Sequence, residues 1–297
     1  MYWNSLNDYL KSEYGCKVYK LALSSGCSCP NRVGPGRRGC IFCDGAGAFA
    51  AAGPISDQLA EARARVSAKL KGPVKYIAYF QSFTNTFAPV EQLEPLFRAA
   101  MEPEDVAILS IASRPDCLGP EILAMLERCN RIKPVWVELG LQTIHPETAR
   151  FIRRGYDLPV FDLAVRELKA RGITVIVHQI LGLPGETPEQ MAETSRYIGH
   201  SGADGIKLHL LHVLKNTDLA DEWRAGRVPI LELEEYIRIL ELCVESLPRE
   251  MVIHRLTGDG AKRDLLAPLW SGDKKRVLNA IHRAFAQDDV QQGRRFY

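Results

Sequence analysis

Short apolar runs rich in β-branched residues alternate along the chain with longer amphipathic runs. The short runs predict β-strands at residues 18–23, 74–80, 106–112, 135–141, 174–181 and 205–213. The longer runs repeat apolar positions every three or four residues, which predicts helices at residues 56–70, 90–101, 120–131, 160–171 and 188–201. Two helix ends carry conventional signals, since Thr187 is a suitable N-cap before Pro188 and Gly172 directly follows Arg171.

This alternation predicts the fold class. Six strands separated by helices favour an α/β fold with a parallel sheet and right-handed crossovers, closed into a partial (β/α)6 barrel. We expect residues 1–215 to form this barrel, with a loop at residues 26–45, and residues 216–297 to form a helical and strand extension that closes it. In such folds the chemistry lies at the carboxyl ends of the strands.

Polar residues interrupt the fourth strand. Trp136, Glu138, Gly140 and Gln142 share one face of this strand because side chains alternate with period two. A buried Glu is costly unless it is paired, so we expect Glu138 and Gln142 to line a polar cavity.

Three further polar residues fall in the later strands. His178 lies toward the end of the fifth strand, and Lys207 and His209 share one face of the sixth. Each could be a single polar residue satisfied inside the barrel, but their place near the strand ends favours a site for Lys207 together with Glu138 and Gln142.

Three cysteines near the N-terminus, Cys29, Cys40 and Cys43, have the spacing C-x10-C-x2-C. The Pro and Gly residues between them exclude a helix or strand and suit a loop that wraps a compact object. Three thiolates suggest a 4Fe–4S cluster with one iron open to another ligand. The alternative is a zinc site with Cys27 as the fourth ligand, although Cys27 and Cys29 are closer in sequence than the usual zinc pairs.

Composition and charge agree with a soluble enzyme. The 297 residues can bury a large core, no apolar run is long enough to cross a bilayer, and no secretory signal is visible, so we expect a cytoplasmic protein. The net charge is +2, but basic residues gather near the C-terminus, where they could contact phosphates or form a solvated surface. They are Lys262, Arg263, Lys274, Lys275, Arg276, Arg283, Arg294 and Arg295.

Several segments, in order along the chain, resemble radical SAM enzymes. Residues 26–31 and 39–43 resemble their cluster loop, and the long first cysteine spacing resembles the branch that includes the Elongator catalytic subunit. Residues 77–86, 113–118, 137–142, 180–186, 206–212 and 253–259 resemble a subfamily of small bacterial proteins related to that branch. Because this resemblance covers nearly the whole chain, it favours the iron–sulfur interpretation over zinc.

The resemblance implies that Cys29, Cys40 and Cys43 ligate a 4Fe–4S cluster beside S-adenosylmethionine. It places Phe42 near the adenine, and Gln142 and Arg154 near the ribose or carboxylate. Gln81 and His178 stand where relatives hold the cofactor, and we also expect Ser113, Glu138 and Leu183 in the cofactor site and Lys207 and His209 in catalysis.

The resemblance also implies the activity. S-adenosylmethionine would be cleaved reductively to a 5′-deoxyadenosyl radical, with an electron donor such as flavodoxin or ferredoxin. It points to tRNA as the partner and to the conversion of carboxymethylaminomethyluridine toward aminomethyluridine at the wobble position. Two alternatives are a zinc-stabilised RNA-binding barrel without redox chemistry and a radical SAM enzyme acting on a small molecule or a protein.

Overall fold

The computed structural model of the chain describes residues 2–36, 38–45, 53–68, 72–258 and 262–297. Its principal strands are β1 (Lys17–Leu23), β2 (Val74–Phe80), β3 (Val106–Ser113), β4 (Val135–Gln142), β5 (Thr174–Leu181), β6 (Gly205–Leu210) and β8 (Val252–Arg255). They form an open, curled sheet of parallel strands in the order β1-β2-β3-β4-β5-β6-β8. The short strands β7 (Val213–Leu214) and β9 (Leu265–Ala267) form a separate antiparallel pair.

Helices connect these strands and cover the sheet. They are α1 (Leu6–Tyr14), α2 (Ile55–Ser67), α3 (Val90–Met101), α4 (Pro120–Asn130), α5 (Pro146–Phe151), α6 (Leu158–Lys169), α7 (Pro188–His200), α8 (Asp218–Arg224), α9 (Leu233–Glu245) and α10 (Lys274–Gln287). Helix α7 begins with a capping box, in which the Thr187 side chain accepts a hydrogen bond from the Gln190 backbone and Gln190 reciprocates. Among the described residues, no helix is long and apolar enough to span a membrane.

The predicted α/β partial barrel is confirmed, with two differences in its strands. The sixth strand ends at Leu210 rather than at residue 213, because the chain turns there into β7. A seventh parallel strand, β8, joins the sheet beside β6 and comes from the region assigned to the C-terminal extension. The domain boundary at residue 215 stays a prediction, and Leu70, Arg37 and Asp259 lie outside the described residues.

The two faces of the sheet bury different partners. The outer face packs its aliphatic residues, such as Val137 and Val177, against the surrounding helices in the main hydrophobic core. The inner face is apolar near the amino ends of the strands, where Trp136 and Ile176 pack with Leu10 of α1. Helix α1 therefore fills the lower part of the barrel, and the polar residues of the inner face lie above it.

Candidate active site at the carboxyl ends of the strands

A cavity of about 300 Å³ opens at the carboxyl ends of the strands, where a parallel barrel is expected to carry its chemistry. The ends of five strands and the cysteine loop (residues 26–45) form its walls. Its polar and aromatic lining includes Phe42, Gln81, Gln142, His178, His209 and Arg255. Five residues that the sequence assigned to the cofactor or to catalysis therefore meet in one cavity.

Glu138 lies beneath this cavity, at the centre of a buried polar network. Its Oε2 accepts hydrogen bonds from Tyr79 Oη at 2.9 Å and from His178 Nε2 at 2.7 Å. The same oxygen forms an ion pair with Lys207 Nζ, which also donates to Tyr79 Oη at 2.8 Å. One carboxylate oxygen thus holds three side chains that come from three different strands.

The other oxygen of Glu138 contacts side chains from two more strands. Its Oε1 accepts a hydrogen bond from Ser110 Oγ at 3.0 Å and an ion-paired one from Lys20 Nζ at 3.3 Å. Glu138 is only 1% exposed, so its carboxylate contacts the side chains of the network and not the solvent. The contacts indicate that Glu138 supports the cavity from below and orients the side chains above it.

The charges of the network fix two protonation states. Burial disfavours a charged Glu138, but Lys20 and Lys207 and the hydrogen bond from His178 outweigh it and hold the pKa of Glu138 well below its usual range. Burial and the charge of Lys207 lower the pKa of His178 to about 4. His178 is therefore neutral near pH 7, and its Nε2 carries the hydrogen because it faces a carboxylate oxygen.

His209 lies beside His178, with the ring centroids 4.9 Å apart. Burial, together with the nearby His178 and the charge of Arg255, holds the pKa of His209 well below its usual value, so this ring is also neutral. Its Nε2 is buried without a hydrogen-bond partner in the described part of the chain. A buried polar atom that is left unpaired in this way costs about 1–3 kcal/mol.

The cysteine loop brings Cys29, Cys40 and Cys43 close enough to one another to interact electrostatically, and Phe42, between Ile41 and Cys43, lines the cavity. Asn31 Nδ2 donates to Cys40 Sγ at 3.3 Å and to the Arg153 carbonyl at 2.7 Å, which ties the loop to the segment after α5. Hydrogen bonds to cysteine sulfurs are a usual feature of iron–sulfur sites because they tune the reduction potential.

The three thiols share one electrostatic environment. Burial raises the pKa of Cys40, and negative charge on Cys43 or Cys29 raises it further, whereas Arg114 lowers it. Each cysteine that ligates a cluster binds a different iron atom. The sulfur atoms therefore need to lie near one another, but they do not all need to lie within bonding distance of one metal ion. Three soft donors with cationic neighbours therefore fit a 4Fe–4S cluster with one open iron, and the ligand assignment stays a prediction.

The guanidinium of Arg32 lies between Gly39 and Gly45 of the cysteine loop. It donates from Nη2 to the Cys43 carbonyl at 2.7 Å. A Cβ atom on Gly39, whose φ is +87°, would lie 2.9 Å from Arg32 Nε, and one on Gly45 would lie 2.7 Å from Arg32 Nη1. The glycines at these positions leave the room that the guanidinium occupies.

Cys27 differs from the three loop thiols. Its sulfur lies 4.0 Å from the Asn85 carbonyl oxygen, and its side chain packs against the apolar core.

Cys117 is half-buried near Cys29. Burial and the charge of Asp116 raise the pKa of Cys117 to about 12, and the charge of Cys29 contributes a smaller part. In the described ranges, no group of three or more His, Cys, Asp or Glu side chains is placed to hold a metal ion.

A small apolar cluster fixes the end of the cysteine loop. Ile41 packs with Ile152, Leu183 and Leu211, and Phe42 packs against this cluster while it lines the cavity. Ile41 N also donates to the Ile152 carbonyl at 3.2 Å. Leu183 therefore supports Phe42 from behind rather than lining the cavity itself.

Gln142 ends β4 in an unusual conformation. Its φ is +65°, in the left-handed region, and the pairing with β5 shifts between Gly140 and Gln142. A Cβ on Gly140 would lie 2.6 Å from the side-chain amide of Gln142, so the glycine makes room for this amide. Non-glycine residues in such conformations cluster at functional sites.

Arg154 and Ser113 lie behind the wall of the cavity. Arg154 is 4% exposed and donates to the carbonyls of Thr143 at 2.6 Å and Tyr156 at 3.0 Å. Ser113 is buried and hydrogen-bonds with Thr86. Their predicted roles toward S-adenosylmethionine stay predictions, and the contacts seen here shape the loops that follow β3 and β4.

The sequence analysis missed several residues of the site. Lys20, Tyr79 and Ser110 face inward by the same period-two alternation that marked Glu138, which is the signal that could have identified them. Arg255 and His212 line the cavity as well. Arg255 lies in the segment 253–259, but its four-residue strand is too short to be recognised from periodicity.

Five of the eight basic C-terminal residues lie in two clusters. Lys274, Lys275 and Arg276 are exposed in the first turn of α10. Arg294 and Arg295 form ion pairs with Glu245. Because Lys274, Lys275 and Arg276 are exposed together in one helical turn, they are the candidates for contact with a polyanion.

Comparison with known proteins identifies the family. The model of the Radical SAM superfamily matches residues 29–198, and that of the Radical_SAM C-terminal domain matches residues 203–287. The protein YtqA of Bacillus subtilis is 40% identical over 299 residues, covering 99% of this chain and 92% of its own length. The tRNA uridine(34) acetyltransferase of Methanocaldococcus jannaschii is 30% identical over 155 residues, covering 51% of this chain and 28% of that protein.

A solved structure agrees in fold. The archaeal Methanocaldococcus infernus Elp3 with an N-terminal deletion superimposes with a TM-score of 0.71 at 16% identity, and the match covers 93% of this chain and 64% of that chain. This likeness matches the half-barrel sheet described above, and the family models span both halves of the chain. The chain therefore belongs to the radical SAM superfamily of enzymes and is related to its Elp3 branch.

Proposed function

We propose that this enzyme acts on the side chain of a tRNA wobble uridine and converts 5-carboxymethylaminomethyluridine toward 5-aminomethyluridine. The observation that carries the proposal is the match of half the chain to a protein named tRNA uridine(34) acetyltransferase. The polar cavity at the strand ends supports it, because a flipped-out or single-stranded base needs such a concave site.

Cys29, Cys40 and Cys43 would hold a 4Fe–4S cluster, with the open iron left for S-adenosylmethionine. When bound, these cofactors supply a 5′-deoxyadenosyl radical that abstracts a hydrogen atom from the substrate. Asn31 orients the Cys40 sulfur and Arg32 fixes the Cys43 backbone. A flavodoxin-like or ferredoxin-like protein would deliver the electron.

The residues of the strand ends would bind and orient the cofactor and the substrate. Phe42, Gln81 and Gln142 line the side of the cavity next to the cysteine loop, which suits contacts to S-adenosylmethionine. His178 is held by Glu138 as a neutral ring, and the buried Lys207 completes that support. Helix α1 closes the lower barrel with apolar side chains, which keeps water away from reactive groups above it.

The first turn of α10 would contact the tRNA backbone through Lys274, Lys275 and Arg276. Replacing all three by Glu should weaken tRNA binding and lower the salt slope by about two, because each lost phosphate contact removes roughly 0.7–0.9 of the slope. The matched control reverses three exposed arginines on the outer helices. They are Arg65, Arg98 and Arg131. Equal tRNA affinity and salt slope in both variants would remove α10 from the interface.

The reaction is tested with tRNA that carries the proposed substrate nucleoside. Anaerobically reconstituted enzyme, S-adenosylmethionine and a strong reductant are mixed with this tRNA, and the nucleosides are quantified by mass spectrometry. We expect loss of 5-carboxymethylaminomethyluridine and gain of 5-aminomethyluridine with the wild type and neither with Cys40→Ala. Abundant 5′-deoxyadenosine without any change in the tRNA would contradict the proposed substrate while leaving the radical chemistry in place.

A further inference from the structure

The segment that follows β3 places a buried guanidinium near the cysteine loop. Arg114 is 9% exposed, and its Nη1 donates to the Arg154 carbonyl at 2.7 Å. Its Nε and Nη2 donate to the two carboxylate oxygens of Asp116 at 2.9 Å and 2.7 Å. A bidentate pair of this kind fixes the guanidinium in one orientation, so both charges have defined positions in the protein.

The same backbone carbonyl joins this guanidinium to a cysteine of the loop. Asn31 Nδ2 donates to the Arg154 carbonyl at 3.2 Å and to Cys40 Sγ at 3.3 Å. Two donors from different segments therefore meet at one oxygen. Gly155 leaves room for both, because a Cβ at its position would lie 2.7 Å from Asn31 Oδ1 and 3.3 Å from Arg114 Nη2.

The electrostatics of the free thiols agree with this geometry. Burial disfavours the charge of Arg114, but the hydrogen bonds and the charge of Asp116 outweigh it and raise the pKa of Arg114, so the guanidinium stays charged. Burial raises the pKa of Cys40, and the charge of Arg114 opposes this rise. Arg114 and Asp116 thus form a pair of opposite charges that is close enough to the loop to act on it.

Charges and hydrogen-bond donors near an iron–sulfur cluster change its reduction potential. Reduction adds one negative charge to the cluster, so a nearby cation or N–H donor stabilises the reduced form and a nearby anion destabilises it. Because Arg114 and Asp116 are largely removed from solvent, salt screens their charges less than it screens surface charges. Asn31 and Arg114 should therefore act in one direction and Asp116 in the other.

We propose that Asn31, Arg114 and Asp116 set the reduction potential of the cluster, with the first two raising it and the third lowering it. The inference rests on the proposed function, because it takes the three loop cysteines as the ligands. The step concerned is the transfer of one electron from the donor protein to the oxidised cluster, and it forms or breaks no bond. All three residues are positioning residues, since Asn31 acts through the Cys40 sulfur and the ion pair acts through its charges.

Redox titration of the reconstituted, cluster-loaded protein tests the proposal. The reduced cluster is quantified by electron paramagnetic resonance, without S-adenosylmethionine or RNA. Arg114→Gln should shift the midpoint potential to more negative values and Asp116→Asn to more positive values. Arg114→Lys keeps the charge without the fork, so its shift should be smaller than that of Arg114→Gln.

Two further variants separate charge from packing. Arg114→Gln leaves Asp116 without its partner, whereas the double variant with Arg114→Gln and Asp116→Asn removes both charges and should return toward the wild-type potential. Asn31→Leu has a similar volume but no N–H, so it should also shift the potential to more negative values.

The matched control breaks an exposed ion pair at the C-terminal end of α4. Arg131→Gln and Glu127→Gln should each leave the potential unchanged. Iron and sulfide content and thermal unfolding are measured for every variant, so that potentials are compared between equally loaded, folded proteins. If Arg114→Gln takes up no cluster, the opposite shifts of Asp116→Asn and Asn31→Leu carry the test.

The outcomes distinguish this inference from the proposals on which it rests. Shifts of the same sign in Arg114→Gln and Asp116→Asn, or unshifted potentials in every loaded variant, would overturn it while leaving the cluster ligands in place. A wild type that takes up no iron–sulfur cluster would overturn the ligand set, and this inference with it. Because no RNA is present, neither result depends on the proposed tRNA substrate.

Discussion

The lower and upper halves of the inner sheet face are built on the same strands but have opposite character. On β4 the face changes from Trp136 to Glu138 and Gln142, and on β5 it changes from Ile176 to His178. Below, these side chains pack with α1. Above, they form the Glu138 network and the cavity.

The difference shows that the lower half of the inner face stabilises the fold, whereas the upper half holds the polar groups of the candidate site. The lower half buries apolar surface, which stabilises the fold without directing any reaction. The upper half buries charges, which stabilise little by themselves and are costly when one partner is removed. Such a network is expected where it orients functional groups, and here it lies directly under the cavity.

Removal of the central carboxylate should give the largest effect. Glu138→Ala leaves Lys20 and Lys207 without their buried counter-charge, so the free energy of unfolding should fall by about 3–5 kcal/mol. Urea denaturation under anaerobic conditions measures this change. Glu138→Gln, which keeps the shape and an acceptor, should lose less. A loss below about 1 kcal/mol in the Ala variant would mean that the network is not the closed charge arrangement described here.

A substitution in the lower half should separate the two regions. Leu10→Ala removes a buried contact between α1 and the sheet, so it should cost about 2–5 kcal/mol of folding free energy. Its affinity for S-adenosylmethionine, measured where the variant is still folded, should match that of the wild type. A selective loss of that affinity at unchanged stability would show that the lower half takes part in binding.

The smallest expected effect is a pH dependence from His178. Its pKa falls from 6.5 in the unfolded chain to about 4 when folded, chiefly through burial and Lys207. The unfolded state therefore binds more protons between these values, and stability should fall as the pH drops from 6.5 toward 4.5, by up to about 1.4 kcal/mol per unit for this group. His178→Gln should flatten that decline in urea denaturation at pH 7, 6 and 5. Identical slopes would contradict a buried neutral ring.

Much of the fold followed from local pattern, because long buried strands and amphipathic helices have distinct periods. The inward face of β4 was also predictable, since Glu138 and Gln142 interrupt an apolar run and are separated by two repeats of the two-residue strand period. The same local information placed Thr187 at the start of α7, where the structure shows a capping box.

The partners of Glu138 were not predictable in the same way. Lys20 lies 118 residues away in sequence, and an isolated lysine in a strand does not show which carboxylate it will meet. Arg255 was hidden because β8 has four residues and follows a long helical segment. The two lysines that pair with Glu138 come from β1 and β6, so this network exists only once the sheet has formed.

The central claim is that the three loop cysteines, and not Cys27, serve a radical reaction in the upper half of the barrel. The most direct test quantifies 5′-deoxyadenosine from S-adenosylmethionine and a strong reductant, using reconstituted wild type, Cys40→Ala and Cys27→Ala. We predict product from the wild type and from Cys27→Ala, whose sulfur packs toward the core, and none from Cys40→Ala. Product from Cys40→Ala, or its loss in Cys27→Ala alone, would contradict the account.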